Sequence, residues 1–450
     1  MDLLSIVKSI NGVLWGYVLI FLLCGTGIYF TIKLRFVQVR RFRESFKQAF
    51  GGIKIGHKAG KEGMSSFQAM ATAMAAQIGT GNLAGAATAI VAGGPGAIFW
   101  MWLSAFFGMA TIFGEAVLGQ KYKQRVEGEM TGGPAYYISK GLGSKKLAAF
   151  FAVMSIIVFG FIGSMVQTNS ISAAMSSNVI VRIIVGVVVA ALAGMIFIGG
   201  VGRIAAFTEK IVPIMALFYI VGSVTIILMN SANLGPAFKM IFVGAFNPKA
   251  ATGGLIGVGV KEAMRYGISR GLFSNEAGMG STPHAHALAK VAHPAQQGLV
   301  AIICVFIDTF VILTLTALVI LTTGVLDGTT TGIALTQKAF MSGMGGIGGP
   351  FIAIALFFFA FSTILAWYFF GETNVKYLFG KKALNIYRVL VLVFIVLGAA
   401  LKVELVWELA DTFNGLMIIP NLIALLGLGS LVKKSLKNYE DNIEEIEKDD

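Results

Sequence analysis

Two apolar stretches of this chain are interrupted by glycine-rich polar clusters, each where a membrane-spanning helix would otherwise run on. They read IGTGN (Ile78 to Asn82) and SNEAGMGS (Ser274 to Ser281). A helix broken inside hydrocarbon exposes backbone N–H and C=O groups that lipid cannot satisfy. It persists only where protein, water, an ion or a solute takes those groups up. Two such breaks in one hydrophobic chain restrict the fold to a helical bundle with an internal polar site near the membrane midplane, the pattern of small-solute transporters.

Composition sets the environment. Of 450 residues, 56% are hydrophobic and 13% charged, and the mean hydropathy is +0.80. A soluble domain carries about twice that charge fraction. The 56 glycines suit helices packed backbone to backbone in a bilayer. The net charge of +13 belongs to cytoplasmic loops rather than to a nucleic-acid surface, because lysine and arginine accumulate on the inner side of membrane proteins. Cys24 and Cys304 each lie in an apolar run and read as small core residues, not as a disulfide or a metal pair. The first apolar run, Gly12 to Ile32, is too long for a signal peptide and lacks a small-residue cleavage site. Basic residues follow it (Lys33, Arg35, Arg40, Arg41, Arg43, Lys47), which places its N-terminus outside and its C-terminal end in the cytoplasm.

At roughly 20 apolar residues per crossing, the chain reads as an all-α polytopic membrane protein of about eleven spans. They cover 12–34, 64–92, 96–120, 147–175, 179–199, 207–229, 254–287, 298–322, 350–373, 384–401 and 405–432. The basic stretch from Arg35 to Lys61 is expected on the inner surface, partly as an amphipathic helix. Leu234 to Ala250 and Thr331 to Met344 have the apolar spacing of outer surface helices, and a polar tail runs from Lys433 to Asp450. Basic residues concentrate in the loops of one side, which again predicts the N-terminus outside and the C-terminus inside. With the first span set aside, ten remain, and each broken span heads a group of five. An odd-numbered group ends on the side opposite its start, so the second group enters inverted: a five-plus-five inverted repeat behind one extra N-terminal helix. The corresponding units are 1–62, 63–229, 230–253, 254–432 and 433–450.

At the first break, glycines 79 and 81 let the chain leave helical geometry at little steric cost. A half-helix ending near Ile78 presents free carbonyls, suited to Na⁺ or an ammonium. One beginning near Asn82 presents free N–H groups, suited to a carboxylate. Opposite ends this close match a short zwitterion such as an amino acid. The second break adds Phe273, Ser274 and Asn275 to the candidate substrate site, together with Glu276. That carboxylate is costly at membrane depth. It is expected to hold the break open through local N–H groups; the alternative is an ion or gating role. Ser362 and Thr363 are adjacent hydroxyls that either back-bond to their own helix or join the carbonyls of Ala75 and Ile78 in an all-oxygen sodium site. Gln167, Thr168, Asn169 and Ser170 are either interhelical glue or pocket wall. Trp367 and Phe370 either bound a substrate side chain or serve as core aromatics. Glu115, Asp308 and Asp411 border or enter spans and either carry protons or pair with neighbours. His284 and His286 lack a one-face helical spacing and, with His293, do not form a metal cluster.

The segments AQIGTGNLAGAA (Ala76 to Ala87), RGLFSNEAGMGSTPHAHA (Arg270 to Ala287) and GGPAYY (Gly132 to Tyr137) resemble signatures of the alanine or glycine:cation symporter family, over essentially the whole chain. The resemblance implies Na⁺-driven uptake of alanine or glycine, a prokaryotic plasma membrane, and the LeuT-type fold of the amino acid–polyamine–cation superfamily. By the same match, Gly79, Thr80 and Gly81 would meet the substrate carboxylate. Ala75, Ile78, Ser362 and Thr363 would hold sodium, and Asn82 would correspond to a ligand of a second sodium site found in some relatives.

Other classes fit less well. There is no phosphate-binding loop for ATP. A channel would need a repeated pore motif, and an intramembrane hydrolase would need a nucleophile–base spacing that the second break lacks. No organic cofactor and no obligatory protein partner are implied. A proton-coupled carrier on the same fold is the closest alternative.

Overall fold

The computed structural model describes residues 3–51, 62–247, 259–401 and 403–446; the expectations for 52–61, 248–258 and 447–450 fall outside the described residues. The chain begins with helix α1 (Leu4–Lys33) and a short basic helix α2 (Phe42–Phe50). The first interrupted span follows as α3 (Ser66–Gln77) and α4 (Gly81–Gly93). Then come α5 (Ala97–Lys121), α6 (Lys145–Met175), α7 (Val179–Phe197) and α8 (Gly200–Met229), and a shorter helix α9 (Leu234–Phe246). The second interrupted span is α10 (Val260–Asn275) and α11 (Pro283–His286). The remainder is α12 (Pro294–Thr322), α13 (Gly332–Met344), α14 (Gly348–Phe379), α15 (Leu384–Ala400) and α16 (Val403–Asp441).

Among the described residues nine helices are long and apolar enough to cross a membrane, with α13 and α14 running on as one. The two interrupted spans bring the crossings to the expected eleven. Continuous helices pair their backbone groups internally, which is what lipid demands; α8 and α16 each carry one internal proline, Pro213 and Pro420, which lacks the N–H for its turn.

The helices fall into two packed groups. In one, α5 lies against both α10 and α12, so the helices that follow the two breaks meet directly. In the other, α6 packs on α14 and α15, and α7 packs on α15. The broken helix α3 joins the groups by touching α12 of the first and α14 of the second, and it also lies against α8. The rim is apolar: the most hydrophobic stretches of α7 and α15 are only 22% and 28% buried, against 67% for α6 and α12. Bulky apolar side chains such as Ile180, Ile184, Ile386 and Val389 stand exposed there, as a lipid-facing surface requires.

Two devices hold the ends. α1 is stapled along α16: Asn11 Nδ2 donates to Glu408 Oε2 at 2.6 Å, Thr412 Oγ1 donates to Asn11 Oδ1 at 2.8 Å, and Trp15 Nε1 donates to the Asp411 carbonyl at 3.1 Å. The polar stretch that begins at Lys433 is helical in its first part. α16 continues to Asp441, where Glu440 receives Arg40 at 2.5 Å and Arg41 at 3.2 Å. A small hairpin of β1 (Gln124–Val126) and β2 (Glu129–Thr131) links α5 to a short helix, Pro134–Gly141, that precedes α6. It turns through Glu127 and Gly128, both at positive φ (48° and 80°), the backbone that a two-residue hairpin loop requires.

Candidate functional site

α3 starts cleanly because Ser65 and Gln68 cap it reciprocally, and it ends because Ile78 leaves helical geometry at φ −78°, ψ 85°. The next helical turn resumes with a π-turn at Gly81, so the interruption is narrower than the sequence suggests. Its backbone is partly occupied already. The Gly79 N–H, which would have paired with the Ala75 carbonyl, donates to Asn82 Oδ1 at 3.0 Å. The Thr80 N–H faces Gln167 Oε1 at 3.4 Å, while the buried Thr80 hydroxyl makes no hydrogen bond.

The Ala75 carbonyl thus freed is met by Thr363 Oγ1 at 2.9 Å, across the gap between α3 and α14. Gly79 lies against the same hydroxyl: a Cβ there would stand 2.5 Å from Thr363 Oγ1. Ser362 is not brought to this point. Its hydroxyl back-bonds to the Phe359 carbonyl at 3.0 Å and faces Met215 Sδ at 3.6 Å.

The second interruption begins two residues later than the sequence suggests. Ser274 and Asn275 complete the last turn of α10, and Glu276 turns the chain with left-handed backbone, φ 58°. The two interruptions touch: Gln77 Nε2 donates to the Asn275 carbonyl at 2.7 Å, and a Cβ on Gly81 would lie 2.9 Å from Ser274 Cα.

Between them stands Asp308, a buried carboxylate of α12. Oδ1 accepts from Asn82 Nδ2 at 2.7 Å and from Ser274 Oγ at 2.9 Å, and Oδ2 accepts from Thr309 Oγ1 at 2.8 Å. Asn275 Nδ2 donates to that same Thr309 hydroxyl at 3.1 Å. Sequence reasoning flagged Asp308 without placing it at the junction. Its signal is a lone acid with an adjacent threonine deep inside a long apolar run.

Two N–H groups of the second interruption, those of Gly278 and Gly280, are held by Glu115 and not by the Glu276 carboxylate. Glu115 Oε2 accepts from Gly278 at 3.0 Å and Oε1 from Gly280 at 2.9 Å, while Asn421 Nδ2 donates to Oε1 at 2.6 Å and Tyr137 donates to Asn421 Oδ1. Gly278 and Gly280 sit at φ 90° and 82°, backbone that side chains rarely adopt. Glu276 instead receives Trp367 Nε1 at 2.6 Å and Ser281 Oγ at 2.5 Å.

The polar cluster of α6 divides. Gln167 reaches the first interruption, Asn169 donates to the carbonyls of Gly398 and Leu401 at 2.8 and 2.9 Å, and Thr168 and Ser170 back-bond within α6. Trp367 packs against Phe159 and Phe273, and Phe273 continues to Trp407. Phe370 lies one turn on, stacked with His284 and edge-on to Phe159. His284 Nδ1 and Nε2 are engaged by the Ser281 carbonyl and Asn374, and no metal-ligating group of three acidic, histidine or cysteine side chains occurs among the described residues.

The arrangement sets carbonyl and hydroxyl oxygen on one side of the first interruption and N–H groups capped by Asn82 and Gln167 on the other, with aromatic side chains and buried carboxylates around them. A match to the family model described as sodium:alanine symporter family spans residues 1–450. The sodium/alanine symporter AgcS of Methanococcus maripaludis is 44% identical over 98% of this chain and 98% of its own length. The probable sodium/glutamine symporter GlnT of Bacillus subtilis is 42% identical over 96% of this chain and 90% of its own. The crystal structure of MhsT in complex with L-phenylalanine shares the LeuT-type fold at 14% identity, with a TM-score of 0.59 over 82% of this chain and 89% of that one. With two broken helices joined at a buried polar centre and a family match from end to end, the chain belongs to the sodium:alanine symporter family.

Proposed function

We propose that the chain is a sodium-coupled importer of a small neutral amino acid, alanine or glycine, working by alternating access in a prokaryotic plasma membrane with its N-terminus outside and C-terminus inside. The observation that carries this reading is the 2.9 Å approach of Thr363 Oγ1 to the Ala75 carbonyl at the end of a broken helix. Both are hard oxygen atoms of the kind Na⁺ takes. Na⁺ is a co-substrate held by Ala75, Ile78 and Thr363, with Ser362 joining after its hydroxyl leaves Phe359. The amino-acid carboxylate takes the N–H groups of Gly79, Thr80 and Gly81, displacing the side chains of Asn82 and Gln167 that now cap two of them. Thr80 Oγ1, buried without a partner, supports a polar ligand at this point. The carbonyl-rich end of α10 and the side chains of Phe273, Ser274 and Asn275 face the ammonium end. Trp367 limits side-chain size, which favours alanine and glycine over the larger substrate in GlnT's name.

Uptake of a panel of radiolabelled amino acids into proteoliposomes tests this. Alanine or glycine accumulates when sodium is high outside, and not when potassium replaces it. Uptake that follows a proton gradient and ignores sodium overturns the sodium assignment in favour of proton coupling. A conductance that does not saturate with solute overturns transport by a carrier.

A further inference from the structure

Glu276 is wholly buried and stands at the first turn of the second interruption, yet it does not serve the backbone around it. Glu115 already satisfies the N–H groups of Gly278 and Gly280. The carboxylate of Glu276 points the other way and receives two neutral donors, the Trp367 indole at 2.6 Å and the Ser281 hydroxyl at 2.5 Å. A short polar side chain would cap a turn at far less desolvation cost than an ionisable one. What the length of glutamate adds is reach to a second helix.

That helix is α14. Trp367 lies four residues after Thr363, so the two side chains share one face, about 6 Å apart along the axis. Thr363 holds the Ala75 carbonyl at the first interruption. The loop is closed by Gln77, two residues beyond Ala75, which donates to the Asn275 carbonyl immediately before Glu276. The Trp367 ring, assigned above to limit the substrate's side chain, also packs between Phe159 and Phe273, and it fits so tightly against Gly163 that a Cβ there would lie 2.2 Å from the ring. A shift of the indole therefore cannot be absorbed locally. It moves the Thr363 turn, the neighbouring aromatic rings, or both.

We propose that Glu276 is a positioning residue that couples the two ligands: by holding the Trp367 indole it sets α14 against both interruptions, so that sodium at Ala75 and Thr363 and the amino acid beside Trp367 bind interdependently. The inference rests on the sodium-symport reading above and assigns the coupling to one hydrogen bond.

Alanine binding to the purified full chain at low and at saturating sodium tests it. In the unaltered protein saturating sodium lowers the half-saturating alanine concentration about tenfold or more, the usual size of coupling between two sites. In Glu276→Ala and in Trp367→Phe, which keeps an aromatic ring but loses the donor, that ratio falls to about twofold or less. Glu276→Gln, which keeps an acceptor oxygen for the indole, retains most of the ratio, and this separates coupling from folding should the alanine variant be unstable. The double variant Glu276→Ala with Trp367→Phe loses no more coupling than either single one, because both remove the same bond. Variants that weaken alanine binding equally at both sodium concentrations, leaving the ratio unchanged, overturn the inference while the symport reading stands. Alanine binding that ignores sodium in the unaltered protein overturns both.

Discussion

At the residue scale the site depends on a few atoms where two backbones approach. The Thr363 hydroxyl is the clearest, because it bonds a carbonyl that its own helix has released. One hydrogen bond is worth about 0.5–1.5 kcal/mol, so Thr363→Ala is expected to raise the sodium concentration for half-maximal uptake by about two- to tenfold. Thr363→Ser, which keeps the oxygen, stays near the unaltered protein. An unchanged sodium dependence in the alanine variant would remove Thr363 from the cation site. Gly81 is the second such atom: any Cβ presses on the Ser274 backbone at 2.9 Å. Gly81→Val is expected to abolish amino-acid binding while the protein still inserts into the membrane fraction, measured by ligand binding alongside membrane yield. Much of this was legible in the residues themselves. Glycine pairs inside apolar runs announced the breaks, and Thr363, Gln167 and Trp367 were singled out with them. Asp308 as the junction and Glu115 as the clamp were not, because their meaning lies in which helices face them.

At the element scale the second interruption is less a broken helix than a seven-residue loop held from three sides, by Glu115 of α5, by Asn421 of α16 through the Gly278 carbonyl, and by Trp367 of α14. The hairpin between α5 and α6 is held in a different way, by charge. Burial pushes the Glu129 carboxyl up, but Lys376 and Lys381, each 3.2 Å away, outweigh it and hold the group below the usual carboxylate range. A carboxylate depressed in the folded state contributes stability that is complete above its unfolded value and fades as pH falls through the folded one. The hairpin therefore stays docked on α14 at neutral pH and loosens only below about pH 4. A spin label at Met130→Cys, in a background without Cys24 and Cys304, reports the change as a gain in mobility. Adding Glu129→Gln makes the label mobile at neutral pH. A label already mobile at neutral pH in the parent would show that these ion pairs do not hold the hairpin.

At the scale of the whole molecule, an odd number of crossings must leave the termini on opposite sides, and the basic residues choose which is which. A protease added to intact cells is expected to remove an N-terminal tag and spare a C-terminal one; the reverse pattern would invert the transport direction proposed above. Hydropathy and break position determined the class of fold and the eleven crossings, because the bilayer forces length and backbone pairing onto every span. Local polarity could not say which polar groups meet. Ser362 and Thr363 are neighbours whose hydroxyls both reach the Phe359 carbonyl, yet Ser362 otherwise faces Met215 while Thr363 also meets the freed Ala75 carbonyl. Glu276 sits in the second break and was expected to clamp its N–H groups, yet those of Gly278 and Gly280 are taken by Glu115, more than 150 residues earlier in the chain. Those choices were decided only when helices far apart in sequence packed face to face, since a buried polar atom takes whichever partner the tertiary structure brings within about 3 Å.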